Sequence, residues 1–465
     1  MRKDFFRTVL KIAVPAALQS MAVSCFSIAD QIMIGQSGET VIAGVGFGAK
    51  FVSLALAILS GAAAGAGILC AQYEGQNNRQ AMIESFSQIF LFSMAISALF
   101  ILLSLTASVP VMGLYSPDPD AVAAASRYLT IYVWTLPFSS VTTLYAVLLR
   151  CCGYPSHPLH ASLAGIVANT ALNALFIFGL GGQEVGAAWA SLFSQALMAG
   201  LAWKMVRKHL PWVHLHFSKS HLGMISRILL PLLICEGLWS LGENVYAMVY
   251  GHTSTVQSAA MTMTIPLQSL LMGILGGFSQ AAGILIGQRL GKGQYENAWN
   301  DSLSLIRYSF FASLLFATLL VLLSPLYVSL FSDDGNVRQM TLQLIAAFAL
   351  MSIVKVQNMV IAGGNVRQMT LQLIAAFALM SIVKVQNMVI AGGILRSGAR
   401  TSIVMAIDLI GTWGFGVPLA FFALHQGFSI LWIYLILSSE EVVRLLISLA
   451  VLVSRKWMKT LPAQG

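Results

Sequence analysis

Acidic residues stand inside long apolar runs at a few places in this chain, and each is a candidate holder of a proton or a small cation. Asp30 lies in Phe26-Ser27-Ile28-Ala29-Asp30-Gln31, where Ser27 and Gln31 are its nearest polar neighbours. Glu236 and Glu243 both follow Pro231 and are two helical turns apart, so a helix puts them on one face. Asp408 stands in Ala406-Ile407-Asp408-Leu409. On insertion scales an ionised side chain at the centre of a bilayer helix costs about 2.5–3.5 kcal/mol, so such residues mark ion or substrate paths. Apolar surroundings desolvate the charged carboxylate, so it takes up a proton or cation and releases it when its cavity opens to water.

Neutral polar groups accompany these acids. Asn169 and Asn173 are one turn apart in one apolar run, and Ser191 lies in the next; amides and hydroxyls of this kind bond membrane helices together. Trp239, Glu243 and Asp408 are candidates for lining a central cavity. Glu440, Glu441 and Arg444 are spaced so that Arg444 pairs with either acid on one helix face, a self-neutralising structural cluster. Lys50 and Arg127 fall near helix ends and are expected to snorkel outward.

Other chemistries find no support. His209, His214, His216 and His221 sit in one basic linker and read as interfacial loop residues rather than a metal cluster. The five cysteines are odd in number and lack paired CxxC spacing; adjacent Cys151 and Cys152 read as small apolar filler. The glycine-rich stretch 61–67 lacks GKS or GKT and lies inside an apolar run. No catalytic residue, metal or cofactor is expected. An integral-membrane enzyme would need a nucleophile with its base, or a metal cluster, within the spans.

The elements that position these residues follow from composition. Of 465 residues, 57% are hydrophobic and 9% charged, against about 25% charged in a soluble domain. A soluble chain could not cover its surface this way, so the protein is an all-α polytopic membrane protein. A spanning helix needs about 20 mostly apolar residues, and thirteen segments between residues 8 and 453 meet that length. The net charge of +9 does not signal nucleic acid, because the basic residues are scattered through short loops. Arg2, Lys3, Arg7, Arg79, Arg150, Lys204, Arg207, Lys208, Arg289 and Lys292 alternate with loops holding Glu39, Asp118, Asp120, Glu184, Asp333 and Asp334. The positive-inside rule then sets the N-terminus in the cytoplasm and the chain in the cell membrane.

The chain also repeats itself. A shift of 216 residues lays 15–75 on 231–291 without a gap, matching Pro15 with Pro231, Gly61 with Gly277, Gln72 with Gln288 and Gly75 with Gly291. The register sets Ser20 opposite Glu236 and Tyr246 opposite Asp30, so the halves share a scaffold but not a charged site. An even number of spans precedes the second copy, so the halves are parallel repeats about an axis along the membrane normal. The expected division is an N-terminal six-helix bundle over 1–203, a basic linker over 204–222 and a C-terminal six-helix bundle over 223–465. Within the last, residues 336–364 and 365–393 are identical, all 29 of them. One copy is expected to fill the tenth-helix position, and the second is the better candidate because it runs directly into Ile394-Leu395-Arg396.

Several motifs together resemble the multidrug and toxic compound extrusion (MATE) family. They are Ala29-Asp30 with Gly35, the Asn169 region ending in Gly186-Ala187-Ala188, Leu149-Arg150 with Leu395-Arg396, and Glu236-Gly237-Leu238-Trp239-Ser240-Leu241-Gly242. The resemblance covers essentially the whole chain. It implies twelve helices in two six-helix bundles, exporting mostly cationic amphiphiles in exchange for Na+ or H+. It further implies an N-terminal-half cation site of Asp30 and Asn169, with Asn173 and Ser191 in the same network, and Glu236 as the acid of the C-terminal half. Where many members have Asp-Pro, this chain has Asn173-Ala174, and Phe26 replaces a tyrosine; both changes remove polar partners of Asp30. The function expected is an antiporter whose partners are the lipid bilayer and small organic cations, with no obligatory protein partner evident. A lipid or lipid-linked precursor flippase is the rival, and an arginine-lined cavity would favour it.

Overall fold

With no water to bond its peptide groups, an apolar chain of this length satisfies its backbone by coiling. The computed structural model describes residues 2–35, 39–116, 118–216, 222–251, 255–329, 366–428 and 430–461; along several stretches, 24–32 and 255–267 among them, it describes the backbone alone. Among the described residues every regular element is a helix. The N-terminal half contains α1 (Arg2–Gly35), α2 (Glu39–Gly75), α3 (Arg79–Gly113), α4 (Pro119–Tyr132), α5 (Thr135–Cys151), α6 (His157–Asn173) and α7 (Gln183–His209). The C-terminal half contains α8 (Leu222–Gly251), α9 (Thr255–Gly291), α10 (Tyr295–Ser329), α11 (Val366–Asn387), α12 (Thr401–Asp408), α13 (Val417–His425) and α14 (Ile430–Val453).

Among the described residues ten helical stretches are long and apolar enough to cross a bilayer, and α4 with α5, bent by 47°, makes an eleventh. Thirteen apolar segments were expected. Of the two that differ, α14 has 24 residues but carries Glu440, Glu441 and Arg444, and the other lies in the first copy of the duplication, outside the described residues. The bend between α4 and α5 has a covalent cause. Pro137, in the first turn of α5, has no N–H for the carbonyl of Val133, so the helix breaks there.

Three spans pass into π-helix: Ala174–Gly179 after α6, Met388–Leu395 after α11, and Leu409–Gly416 between α12 and α13. Each adjoins a polar residue considered above or below, namely Asn173, Asn387 with Arg396, and Asp408. Such π turns inside α-helices recur at functional sites.

The halves meet where α1 packs on α9 and α2 packs on α8 and α9. A side chain on Gly75 would run into the Gln288 carbonyl, and one on Gly291 into the Gln72 carbonyl. Higher up, a Cβ on Gly61 would lie 2.9 Å from the Leu232 carbonyl, and one on Gly277 would meet the carbonyl of Ala13. The first pair is reciprocal, i on j and j on i, as a two-fold relation produces. One apolar core runs through both halves, from Leu69, Tyr73 and Phe86 to Leu275, Ile286 and Ile394.

Candidate cation-coupling sites

In the N-terminal half the structure brings together the amides and hydroxyl expected from the sequence. Asn173 donates from Nδ2 to Asn169 Oδ1 at 2.7 Å, the one-turn spacing on α6 making the two side chains neighbours. Asn169 Nδ2 reaches across to α7, donating to Ser194 Oγ at 2.9 Å with Ser191 Oγ at 3.5 Å. Ser194 was missed in the sequence, although it lies one turn from Ser191. α1 packs on α6, but the side chains of Asp30 and Phe26 lie outside the described residues. Of the two residues expected to snorkel, Arg127 keeps its side chain 58% exposed while pairing with the buried Glu184 at 2.6 Å.

The same half holds a guanidinium turned inward. Arg150 Nη2 donates to Gln19 Oε1 at 2.6 Å, and Gln19 Nε2 donates to Ser162 Oγ at 2.8 Å. Arg150 closes the fourth span of its half, as Arg396 does in the other, and each reaches the first span of its own half. The gapless register sets Ser20 opposite Glu236; in bonding, the counterpart of Glu236 is Gln19.

In the C-terminal half the charged residues form one chain across four helices. Arg396 Nη1 donates to Glu236 Oε1 on α8 at 3.0 Å, while its Nη2 lies 4.0 Å from Asp408 Oδ2. Asp408 also accepts from Arg444 of α14 and from the thiol of Cys235. Arg444 continues to Glu441 at 3.4 Å, and Glu441 accepts from Asn387 Nδ2 at 2.8 Å. Glu440 accepts from the Tyr246 hydroxyl of α8, with Lys384 among its charged neighbours. Of the expected triad, Arg444 does pair with Glu441 on its own helix, while it also reaches across to Asp408 and Glu440 turns to α8. Arg150, Arg396 and Arg444 all turn into the bundles, where amides and carboxylates replace their water.

Counting the groups gathered here, four carboxylates (Glu236, Asp408, Glu440, Glu441) face three basic side chains (Lys384, Arg396, Arg444). Counted with every acid ionised, one negative charge is in excess. An uncompensated charge at this depth is costly, so the cluster has room for one proton or one cation from outside. Glu243 is exposed on α8 and stands apart from the chain of ion pairs. Trp239 and Asp408 lie at one small cleft with Trp413, Met405 and Thr412, far too small for a drug-sized ligand.

Two similar helical halves that meet along a two-fold seam, with polar residues buried inside each, are the architecture of parallel-repeat membrane transporters. The MatE family model matches residues 15–175 and again 231–391, once in each half, and the chain belongs to this family of multidrug and toxin extrusion transporters. It is 23% identical over 451 residues to the uncharacterized transporter YisQ of Bacillus subtilis (strain 168), covering 92% of this chain and 89% of YisQ. It is 22% identical over 443 residues to multidrug and toxin extrusion protein 2 of Mus musculus, covering 92% of this chain and 71% of the mouse protein. A crystal structure of MATE in complex with MaL6 shares the fold, with a TM-score of 0.81 at 17% identity over 97% of this chain and 96% of that one.

Proposed function

We propose that the protein is an antiporter that exports cationic amphiphilic compounds in exchange for Na+ or H+ by alternating access. The face carrying the start of α1 and the end of α2 is assigned to the cytoplasm, because Arg79, Arg207, Lys208 and Lys292 cluster at the helix ends there. The observation that carries the reading is the surplus negative charge of the C-terminal-half cluster, which touches the seam between the halves. Ser60 Oγ of α2 lies 3.4 Å from Glu236 Oε2, so the surroundings of Glu236 change whenever α2 moves against α8. A cation that binds Glu236 more tightly in one arrangement than the other shifts the balance between them, and coupling needs nothing more.

Asp30, Asn169, Asn173 and Ser191 form the second candidate site, in the N-terminal half. Broad cargo is supported by the name of the mouse relative. The flippase alternative is weakened by the pairing of Arg396 and Arg444 with carboxylates, which leaves little free positive charge for an anionic head group. The test is dye efflux from everted vesicles carrying the full chain, with a Na+ or a proton gradient imposed separately. Glu236→Gln is expected to lose gradient-driven efflux, and retained coupling in that variant would remove Glu236 from the site.

A further inference from the structure

Glu236 is not an open carboxylate awaiting a cation. Its Oε1 accepts from Arg396 Nη1 at 3.0 Å, and both side chains are more than four-fifths buried, with 18% and 16% exposure. From its own helix Glu236 is flanked by the thiol of Cys235, which bonds to Asp408. From α12 it faces Asp408, behind which stand Arg444 and Glu441 of α14. From α2 it meets Ser60, which does not ionise and whose hydroxyl proton has a nearer acceptor, the Ala57 carbonyl at 2.7 Å. Arg396 is therefore the one cation in direct contact with Glu236 among the described residues. Its second nitrogen already stands 4.0 Å from Asp408, and its Nε is buried without a bond.

We infer that Arg396 is a tethered competitor at the coupling site, the internal cation that an incoming Na+ or H+ must displace from Glu236. The inference rests on the reading of Glu236 as a coupling residue. Its consequence is that Arg396 sets how much external cation the site demands. When a cation takes Glu236, the guanidinium turns to Asp408, about 1 Å beyond hydrogen-bonding range, and no new uncompensated charge appears. When the cation leaves, Arg396 returns, and Glu236 itself is not left without a cationic partner in the membrane. The N-terminal half carries the same arginine position without the acid, since Arg150 meets Gln19. Among the described residues only the C-terminal half pairs this arginine with an acid.

The test is the ion dependence of dye efflux in vesicles, measured for the whole chain. Removing one charge-assisted bond to the carboxylate is worth about a tenfold change in ion affinity. For Arg396→Gln the Na+ concentration at half-maximal efflux should fall by about that factor, or, if the ion is H+, the midpoint should rise by about one pH unit. Arg396→Met removes the same charge with a side chain of similar length and leaves Glu236 intact, so it must move the ion dependence in the same direction. It also serves if Arg396→Gln does not accumulate. Unchanged ion dependence in these variants, with coupling lost in Glu236→Gln, would overturn the competitor and leave Glu236 as the site. Coupling that survives Glu236→Gln would overturn both.

Discussion

Gln72 accepts the backbone N–H of Leu461 at 2.7 Å, and the same side chain donates at 2.6 Å to the carbonyl of Ser397. One amide of the N-terminal half thus fastens two separate parts of the C-terminal half, the end of its fourth span and the tail of the chain. Gln76 adds a bond to the Leu461 carbonyl at 2.9 Å. The tail is anchored by the fully buried Trp457 and by Arg455, which pairs with Glu296 at 2.9 Å and lies 4.5 Å over the Trp299 ring. The equivalent glutamine, Gln288, makes the mirror contact, donating to the Cys151 carbonyl at 2.9 Å. The seam between the halves is therefore bolted on one face by reciprocal glutamines and a strap.

Gln72→Leu removes those bonds and leaves the Leu461 N–H and the Ser397 carbonyl buried without partners. An orphaned buried group costs about 1–3 kcal/mol, so the variant should lose roughly 3 kcal/mol and melt at a lower temperature in detergent. A melting temperature equal to wild type for the leucine variant would show that the strap carries no stability.

The glycines at the α2–α9 crossing make a second, paired prediction. A methyl group at Gly75 or Gly291 must push away a backbone carbonyl of the other half, and overpacking of this kind costs about 1–3 kcal/mol. Because the two positions are equivalent, Gly75→Ala and Gly291→Ala should open the same face to a similar extent. Spin labels on the exposed ends of these helices, at Asn77 and Lys292, should report longer distances in both variants. A response from one glycine alone would contradict the reciprocal crossing.

Much of this fold is legible in the apolar runs, since each run of spanning length can satisfy its backbone only as a helix. The pairing of Asn169 with Asn173 is legible as well, because it depends on one helical turn. So is the pairing of Arg444 with Glu441, but the reach of Arg444 to Asp408 and of Arg396 to Glu236 is not. Those partners lie on other helices, and π-helical stretches stand next to Arg396 and Asp408. A π turn shifts the angular position of every side chain beyond it, so a regular 3.6-residue wheel points them the wrong way. The strap at Leu461 was hidden for a simpler reason. Short polar and aromatic residues after a final span look like an ordinary chain end until Gln72 is seen to hold them.

Asp30 tests the N-terminal-half site independently of Glu236. Asp30→Asn keeps the size and hydrogen bonding of the side chain but removes the charge that a proton or Na+ neutralises. Gradient-driven efflux is expected to disappear while membrane insertion and melting temperature stay near wild type. Asn169→Ala is the companion, since it leaves Asn173 Nδ2 without its acceptor at 2.7 Å and should cost about 1–2 kcal/mol. If Asp30→Asn transports as well as wild type, the role proposed for it is lost.

The duplicated segment yields the last prediction. The second copy, 365–393, supplies α11 and most of the π-helical stretch before Arg396, packed between α10 and α14. Its side chains are engaged there, Gln386 accepting from Ser309 at 3.3 Å and Asn387 donating to Glu441. The first copy, 336–364, lies outside the described residues. Were both copies to span, everything beyond them would invert, and Arg396, Arg400, Arg455, Lys456 and Lys459 would face outward against the distribution of the other basic loops. The bonds from Gln72 and Gln76 to Leu461 argue against inversion, because they hold the tail at the end of α2, just before Arg79. We therefore expect that deleting 336–364 leaves the fold intact, with a melting temperature at or above that of the full chain and dye efflux no weaker. A C-terminal reporter should be cytoplasmic with and without the deletion. A reporter that moves from outside to inside on deletion would show that both copies cross the membrane and that the proposed topology is wrong.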